Sequence, residues 1–338
     1  MDPVIALFGL GVGVLIGLTG IGGGSLMTPL LLLFVGTPPV TAIGTDLAYG
    51  AVTKTLGGVA HLRQRTVDLS LCWWLAAGSA PGSLVGVWLI ERLHAAYGDD
   101  FDDVLLICVA VALLVTAVTT LGRAMFVPAA AAREREQVEL TARRKAEAVA
   151  IGAVLGLVLG LTSVGSGALI GLALILVFRL TPHRVVGTDV FHAAILLWVA
   201  GLAHFAAGNV DLVLMANILV GSVPGVLIGA RLITRVPSHV LRPTLGCVLL
   251  AAGLGVLSKG GVAVPPPAVV LLPVAVGVAI WAVERRRPAP ISRPAPSATG
   301  VEHFVREAVA HAEVRVDGDP VRRDRPQLAA HLADEDVH

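Results

Sequence analysis

Gly17-Leu18-Thr19-Gly20-Ile21-Gly22-Gly23-Gly24-Ser25 and Gly160-Leu161-Thr162-Ser163-Val164-Gly165-Ser166-Gly167 lie 143 residues apart, and the shift that superposes them extends without a gap from Gly17–Ile90 onto Gly160–Ile233. The same shift pairs Gly44-Thr45-Asp46 with Gly187-Thr188-Asp189, Ala60-His61 with Ala203-His204, Val67-Asp68-Leu69 with Val210-Asp211-Leu212, and Pro81-Gly82 with Pro224-Gly225. Apolar sequences can align through Leu, Val and Ala alone, so the matched Gly, Pro, Asp and His are what identify an internal duplication.

Hydrophobic residues make up 55% of the 338 and charged residues 14%, against roughly 25% charged in a soluble domain. Apolar stretches recur to about Glu284, each long enough to cross or deeply enter about 30 Å of hydrocarbon. Helices are the expected elements, because a barrel would show alternating strands of about ten residues. Three cysteines, Cys72, Cys108 and Cys247, stand singly in apolar runs and read as buried packing residues. Met1-Asp2-Pro3 lacks the basic residues that precede a secretory signal, so the first apolar run reads as a membrane element.

Loop charges orient the chain, because Lys and Arg near helix ends favour the cytoplasm. Arg63 and Arg65 place one loop inside, and the following acidic loop, Asp99-Asp100-Phe101-Asp102-Asp103, outside. In the second half the signs exchange: Ala207-Gly208-Asn209 is uncharged, while the counterpart of the acidic loop carries Arg231, Arg235 and Arg242. Gly36 to Gly44 is uncharged where its counterpart holds Arg179 and Arg184; the linker between halves is basic, and Arg285 to Arg287 place the C-terminus inside. The expectation is a multi-pass inner-membrane protein with its N-terminus outside, built as an inverted-topology repeat, the design of many secondary transporters with a site near the bilayer midplane.

Each half reads as a short glycine-tipped hairpin plus three transmembrane helices: 4–36, 45–61, 69–91 and 104–122, then 148–179, 188–205, 212–233 and 240–258, with one more span at 265–283. The domains are therefore 1–122, a cytoplasmic linker 123–147, the inverted repeat 148–258, an extra span 259–287 and a Pro-rich, charged cytoplasmic tail 288–338 expected to be disordered. Ser25 to Gly36, the second arm of the first hairpin, gives only about 18 Å of helix, too little to cross.

Glycine at the hairpin tips lets backbone N–H groups face a ligand without an obstructing Cβ. Helices starting near Gly24 and Gly167 would aim their N-terminal N–H groups inward, so Gly22, Gly23, Gly24 and Ser25 with Gly165, Ser166 and Gly167 are candidates to bind an anion. Isolated glycines such as Gly9, Gly13 and Gly17 read instead as close-packing positions. Thr45-Asp46 and Thr188-Asp189 read as helix openings, where Thr caps and Asp favours the dipole; the other reading makes Thr45 and Thr188 contacts to substrate and Asp46 or Asp189 a proton relay. Lys54, inside an apolar helix, reads as an anion contact, an ion-pair partner of Asp46 or a snorkelling cation. His61 and His204 read as caps, His192 as polar lining or a locally satisfied side chain, and Pro81 and Pro224 as kinks.

Gly20-Ile21-Gly22-Gly23-Gly24 followed by Pro29, then Gly44-Thr45-Asp46-Leu47, Ala60-His61-Leu62-Arg63 and Val67-Asp68, with a degenerate second copy, resembles the TauE/SafE family of sulfite exporters and related permeases, also called TSUP. The resemblance covers about residues 5–258 and departs where Gly165-Ser166-Gly167 replaces three glycines and Leu172 stands at the place of Pro29. It implies a permease for sulfite, sulfonates or other small organosulfur anions, coupled to a proton or sodium gradient by alternating access. The implied partners are that anion and the lipid bilayer; no nucleic acid, metal, cofactor or particular oligomer is called for. Two other classes stand beside it. One is an anion channel, and the other a membrane enzyme using Asp99 to Asp103 as a Mg²⁺-binding DDxxD pattern, although no HExxH, GxSxG or Ser/His/Asp grouping accompanies it.

Overall fold

The computed structural model describes residues 3–19, 24–126, 138–232 and 238–286. Gly22 and Gly23, most of the linker and the tail 288–338 lie outside these, so the expectations placed on them are not addressed by the fold. The described residues form eleven α-helices: α1 (Pro3–Thr19), α2 (Gly24–Leu30), α3 (Pro39–Arg63), α4 (Leu69–Tyr97), α5 (Asp99–Phe126), α6 (Ala142–Thr162), α7 (Leu169–Leu176), α8 (Pro182–Ala206), α9 (Leu212–Leu232), α10 (Ser238–Lys259) and α11 (Pro266–Arg286), with a π-helical turn, Leu31–Val35, extending α2. Five of them, α4, α5, α6, α8 and α9, are long and apolar enough to cross a membrane. Large apolar side chains on their outer surfaces, such as Trp73, Trp88, Val118 and Val213, are exposed, as lipid-facing side chains would be. Together they make the chain a multi-pass membrane protein.

Several boundaries differ from the sequence reading. Helices α3 and α8 start at Pro39 and Pro182, six residues ahead of Thr45 and Thr188, because a proline at the first helical position has its φ preset and no N–H to lose. Thr45-Asp46 and Thr188-Asp189 are therefore in the second turn of a helix and do not cap it. Asp99, Asp100, Asp102 and Asp103 are the first residues of α5, separated from α4 by Gly98 alone. The supposed acidic loop is a helical turn, and negative charge at the positive end of a helix dipole is the physical reason it folds so. Of the cysteines only Cys72 is buried; Cys108 is exposed and Cys247 half-buried, because an apolar run in a membrane helix has a lipid face as well as a core face.

Packing follows the 143-residue shift. Helix α1 lies along α9 and α4 along α6, while α3 pairs with α8 and α5 with α10. At the first two seams glycine lets backbones touch: a Cβ on Gly13 would overlap the Ser222 backbone, and one on Gly156 the Ser79 backbone, contacts that interchange under the shift. Gly221 against Ala6 and Gly78 against Val149 are another such pair. On the α3–α8 seam Gly58 meets Phe191 and Gly201 meets Ala48, and Trp198 Nε1 donates to Thr55 Oγ1 at 2.9 Å across 143 positions.

The polar bonds at the helix starts obey the same rule. Asp68 Oδ1 accepts from Leu71 N at 3.1 Å and Asp211 Oδ1 from Leu214 N at 2.9 Å, capping α4 and α9. The amides of these two residues are themselves taken by hydroxyls of the other half: Asp68 N donates to Thr188 Oγ1 at 2.9 Å and Asp211 N to Thr45 Oγ1 at 3.0 Å. The two threonines thus cap by joining the halves.

Candidate functional site

The segment Ser163–Gly167 turns the chain between α6 and α7 in conformations that few side chains adopt, with φ of 56° at Ser163, 126° at Gly165 and 98° at Gly167. Glycine is needed at the last two for that reason. The turn is enclosed by protein: Ser163 and Ser166 have no exposed surface and Thr162 and Val164 almost none. His204 of α8, also buried, places Nε2 at 3.3 Å from Gly160 O just before it, and so braces α6 at its end.

Three charged residues converge on this one segment. Ser163 Oγ donates to Asp46 Oδ2 at 2.9 Å, Lys54 Nζ donates to Ser166 Oγ at 3.4 Å, and Gly167 N donates to Asp189 Oδ1 at 3.2 Å. Asp46 and Lys54 come from α3 and Asp189 from α8, so the central helix pair presents a cation between two carboxylates, both within coulombic reach of Lys54. Lys54 is only 5% exposed; buried ionisable groups at membrane depth are rare and belong to functional sites by default.

Asp46 is the most heavily engaged. Its Oδ2 also accepts from Thr28 N at 3.2 Å and from Thr28 Oγ1 at 2.5 Å, tying α2 to α3. Its Oδ1 is buried and has no hydrogen-bond partner among the described residues. Nearby, Ser79 Oγ and His192 Nε2 are 2.9 Å apart, joining α4 to α8. Under the 143-residue shift these two become Ser222 and Tyr49, both buried.

The structure thus brings together Ser166, Gly167, Lys54, Asp46 and Asp189 among the residues singled out from sequence. Gly165 shapes the turn, and Gly24 and Ser25 begin α2, where Ser25 is buried with its hydroxyl unpartnered. Thr45 and Thr188 are buried but spend their hydroxyls on the helix starts. His61, expected to cap a carbonyl, places Nδ1 at 3.0 Å from Thr66 Oγ1. Thr28, Ser163, Ser79, Tyr49 and Ser222 were not singled out; the signal available for the last three was that Tyr49 and His192, and Ser79 and Ser222, fall on the same shift. Among the described residues no group of three His, Cys, Asp or Glu side chains is gathered to hold a metal ion.

A cavity of about 830 Å³ opens beside the starts of α1, α3 and α9, lined among others by Pro3, Thr37, Thr41, Asp211, Leu214 and Asn217. At two of the shifted positions the groups are bulkier and tied down. Arg184 stands for Thr41 and donates Nη1 to Val67 O at 3.0 Å; Trp74 stands for Asn217 and has Lys145 Nζ at 5.0 Å from its ring centre. Val138, from the segment joining the halves, donates its N–H to Asp68 Oδ2 at 3.2 Å.

The family described as sulfite exporter TauE/SafE matches residues 5–256. The chain belongs to the TauE/SafE family. Within the family it is 37% identical over 254 residues to the probable membrane transporter protein YjnA of Bacillus subtilis, covering 75% of this chain and 99% of that one. It is 28% identical over 243 residues to the probable membrane transporter protein YdhB of the same organism, covering 72% and 94%. A segment of 128 residues, 36% of this chain and 26% of the relative, is 33% identical to sulfite exporter TauE/SafE family protein 1 of Arabidopsis thaliana. No solved structure matches the chain. Helix α11 lies beyond the matched region.

Proposed function

We propose that this TauE/SafE membrane transporter carries small anions, with sulfite, sulfonates or related organosulfur anions as its substrate class, by ion-coupled alternating access in the plasma membrane. The observation that carries the reading is the convergence of Lys54, Asp46 and Asp189 on the Ser163–Gly167 turn, deep within the helix pair α3–α8. The substrate anion sits against Lys54 Nζ and the Ser166 hydroxyl. Lys54 supplies a cation that can offset the anion's charge in a low dielectric.

The contacts that interchange under the 143-residue shift support two halves related by a two-fold rotation, and the exchanged loop charges support their insertion in opposite senses. Alternating access then needs no new parts. The open cavity at α1, α3 and α9 is the outer vestibule, and its counterpart around Arg184, Trp74 and Val138 is the closed inner one; transport exchanges the two arrangements. A channel would hold both open together, and the difference between the two vestibules favours the carrier.

The test is a thermal-shift series on the purified protein with sulfite, thiosulfate, sulfoacetate, taurine, sulfate and simple carboxylates, followed by counterflow of the stabilising anion in proteoliposomes. Stabilisation by a sulfur oxyanion or sulfonate, with saturable counterflow, supports the proposal. No response to any of these anions, or flux that never saturates, overturns it.

A further inference from the structure

The site just described has the wrong charge for its cargo. Two carboxylates and one ammonium leave a single net negative charge around the Ser163–Gly167 turn, and a bound monoanion would double it. Something must neutralise one carboxylate while the anion is aboard.

The two carboxylates are not equivalent. Asp189 Oδ1 accepts the Gly167 amide beside the start of α7, where backbone dipoles suit a charged acceptor. Asp46 has no exposed surface and, among the described residues, crowds its three donors onto Oδ2, leaving Oδ1 buried and without a partner there. A bare carboxylate oxygen in that position is costly as part of an anion and much less so as a neutral hydroxyl. The titratable groups that face it are Lys54 and Tyr49 on its own helix, and Lys54 in turn faces Asp189 and His192 of α8; among the described residues its hydrogen-bond donors, Thr28 of α2 and Ser163 of the turn, are uncharged.

We propose that Asp46 is the proton carrier of this transporter: a proton from bulk water bonds to Asp46 Oδ1 when a monoanion occupies the Lys54–Ser166 site, and that O–H bond breaks when the anion leaves. One proton therefore travels with each monoanion, and the loaded and empty sites carry the same charge. The inference rests on the anion-carrier reading and adds to it the identity of the coupling ion, the residue that holds it and the stoichiometry.

The consequence is a sharp difference in driving force. Co-transport of one proton and one monoanion is electroneutral, so a pH gradient drives uptake and a membrane potential alone does not. The apparent affinity should weaken by up to tenfold for each pH unit on the alkaline side of the Asp46 titration, the slope set by linkage of one proton to one ligand. Asp46→Asn, permanently neutral with the same shape, should bind the anion with no such pH slope and carry it down its own electrochemical gradient, responding to membrane potential and not to a pH gradient.

The experiment uses the full chain in proteoliposomes with a trapped pH indicator and with methanesulfonate as the probe, since it is a monoanion whose sulfonate group does not itself take up protons near neutral pH. Wild type is compared with Asp46→Asn under an imposed pH gradient and under a potassium diffusion potential. Sulfonate-dependent acidification inside the vesicles in the wild type, absent in Asp46→Asn, supports the proposal. Should Asp46→Asn fail to fold, the wild type alone decides: flux driven by the pH gradient supports it, and flux driven by potential without proton movement overturns it. Proton coupling that persists in Asp46→Asn also overturns it and moves the carrier to His192 or Asp189. Sulfonate flux without any proton movement leaves the anion-carrier reading standing and removes only this inference, whereas no flux or binding of any probe at any pH removes both.

Discussion

Replacing Lys54 by Met tests the anion site at its most exposed assumption. Lys54 Nζ lies 3.4 Å from Ser166 Oγ, and Lys54 is nearly fully buried between α3 and α8. Met keeps an unbranched chain of similar length and a good helix former in α3, so packing is largely conserved while the charge is lost. A hydrogen bond to a charged partner contributes about 1.5–3 kcal/mol, which at 1.4 kcal/mol per decade weakens anion binding about 10- to 150-fold. The assay is the dissociation constant of the stabilising anion from thermal-shift titration, with size-exclusion chromatography showing that the variant is monodisperse. A well-folded Lys54→Met protein with an affinity within about twofold of wild type would refute the assignment, and with it the idea that the turn's convergence on Lys54 serves binding.

Three further outcomes follow from the packing. Gly156→Val puts a branched side chain on the Ser79 backbone and should destabilise the protein by about 1–3 kcal/mol or more, whereas Gly11→Val, with nothing within 4 Å of the added Cβ, should stay within about 0.5 kcal/mol; thermal unfolding in detergent compares them. Thr188→Val leaves the buried Asp68 amide without its acceptor and should cost about 1–3 kcal/mol, while Thr45→Val should cost less because Asp211 is exposed. Asp68→Ala removes the cap of α4 and should cost about 0.5–2 kcal/mol, read by the same melts.

What the sequence made legible is what repeats. The 143-residue shift could be read from Gly, Pro, Asp and His, and the close-packing role of Gly9 and Gly13 from their spacing, because a glycine in lipid is most useful where backbones touch. Lys54 stood out because a lone cation in an apolar helix demands a reason. Three-dimensional assignments were harder. Gly36 to Gly44 looked like a loop for lack of charge, yet Pro39 starts α3 within it, and this misplaced Thr45 and Asp46 by nearly two turns. Ser166 read as an anion contact and Ser163 was not singled out, since nothing local tells a serine which helix of the other half will face it. The acidic run Asp99 to Asp103 suggested a loop because charge was weighed without the helix dipole that favours it.

The claim on which the account turns is that two copies of one fold enter the bilayer in opposite senses and meet at the Ser163–Gly167 turn. Gln64 and Ala207 end α3 and α8, are exposed, and are counterparts under the shift. In a background with Cys72, Cys108 and Cys247 replaced by Ser, labelling of Gln64→Cys and Ala207→Cys with a membrane-impermeant maleimide in intact cells measures their sidedness directly. The account predicts that Ala207→Cys reacts from outside and Gln64→Cys only after the membrane is opened. Reaction of both from the same side would contradict it.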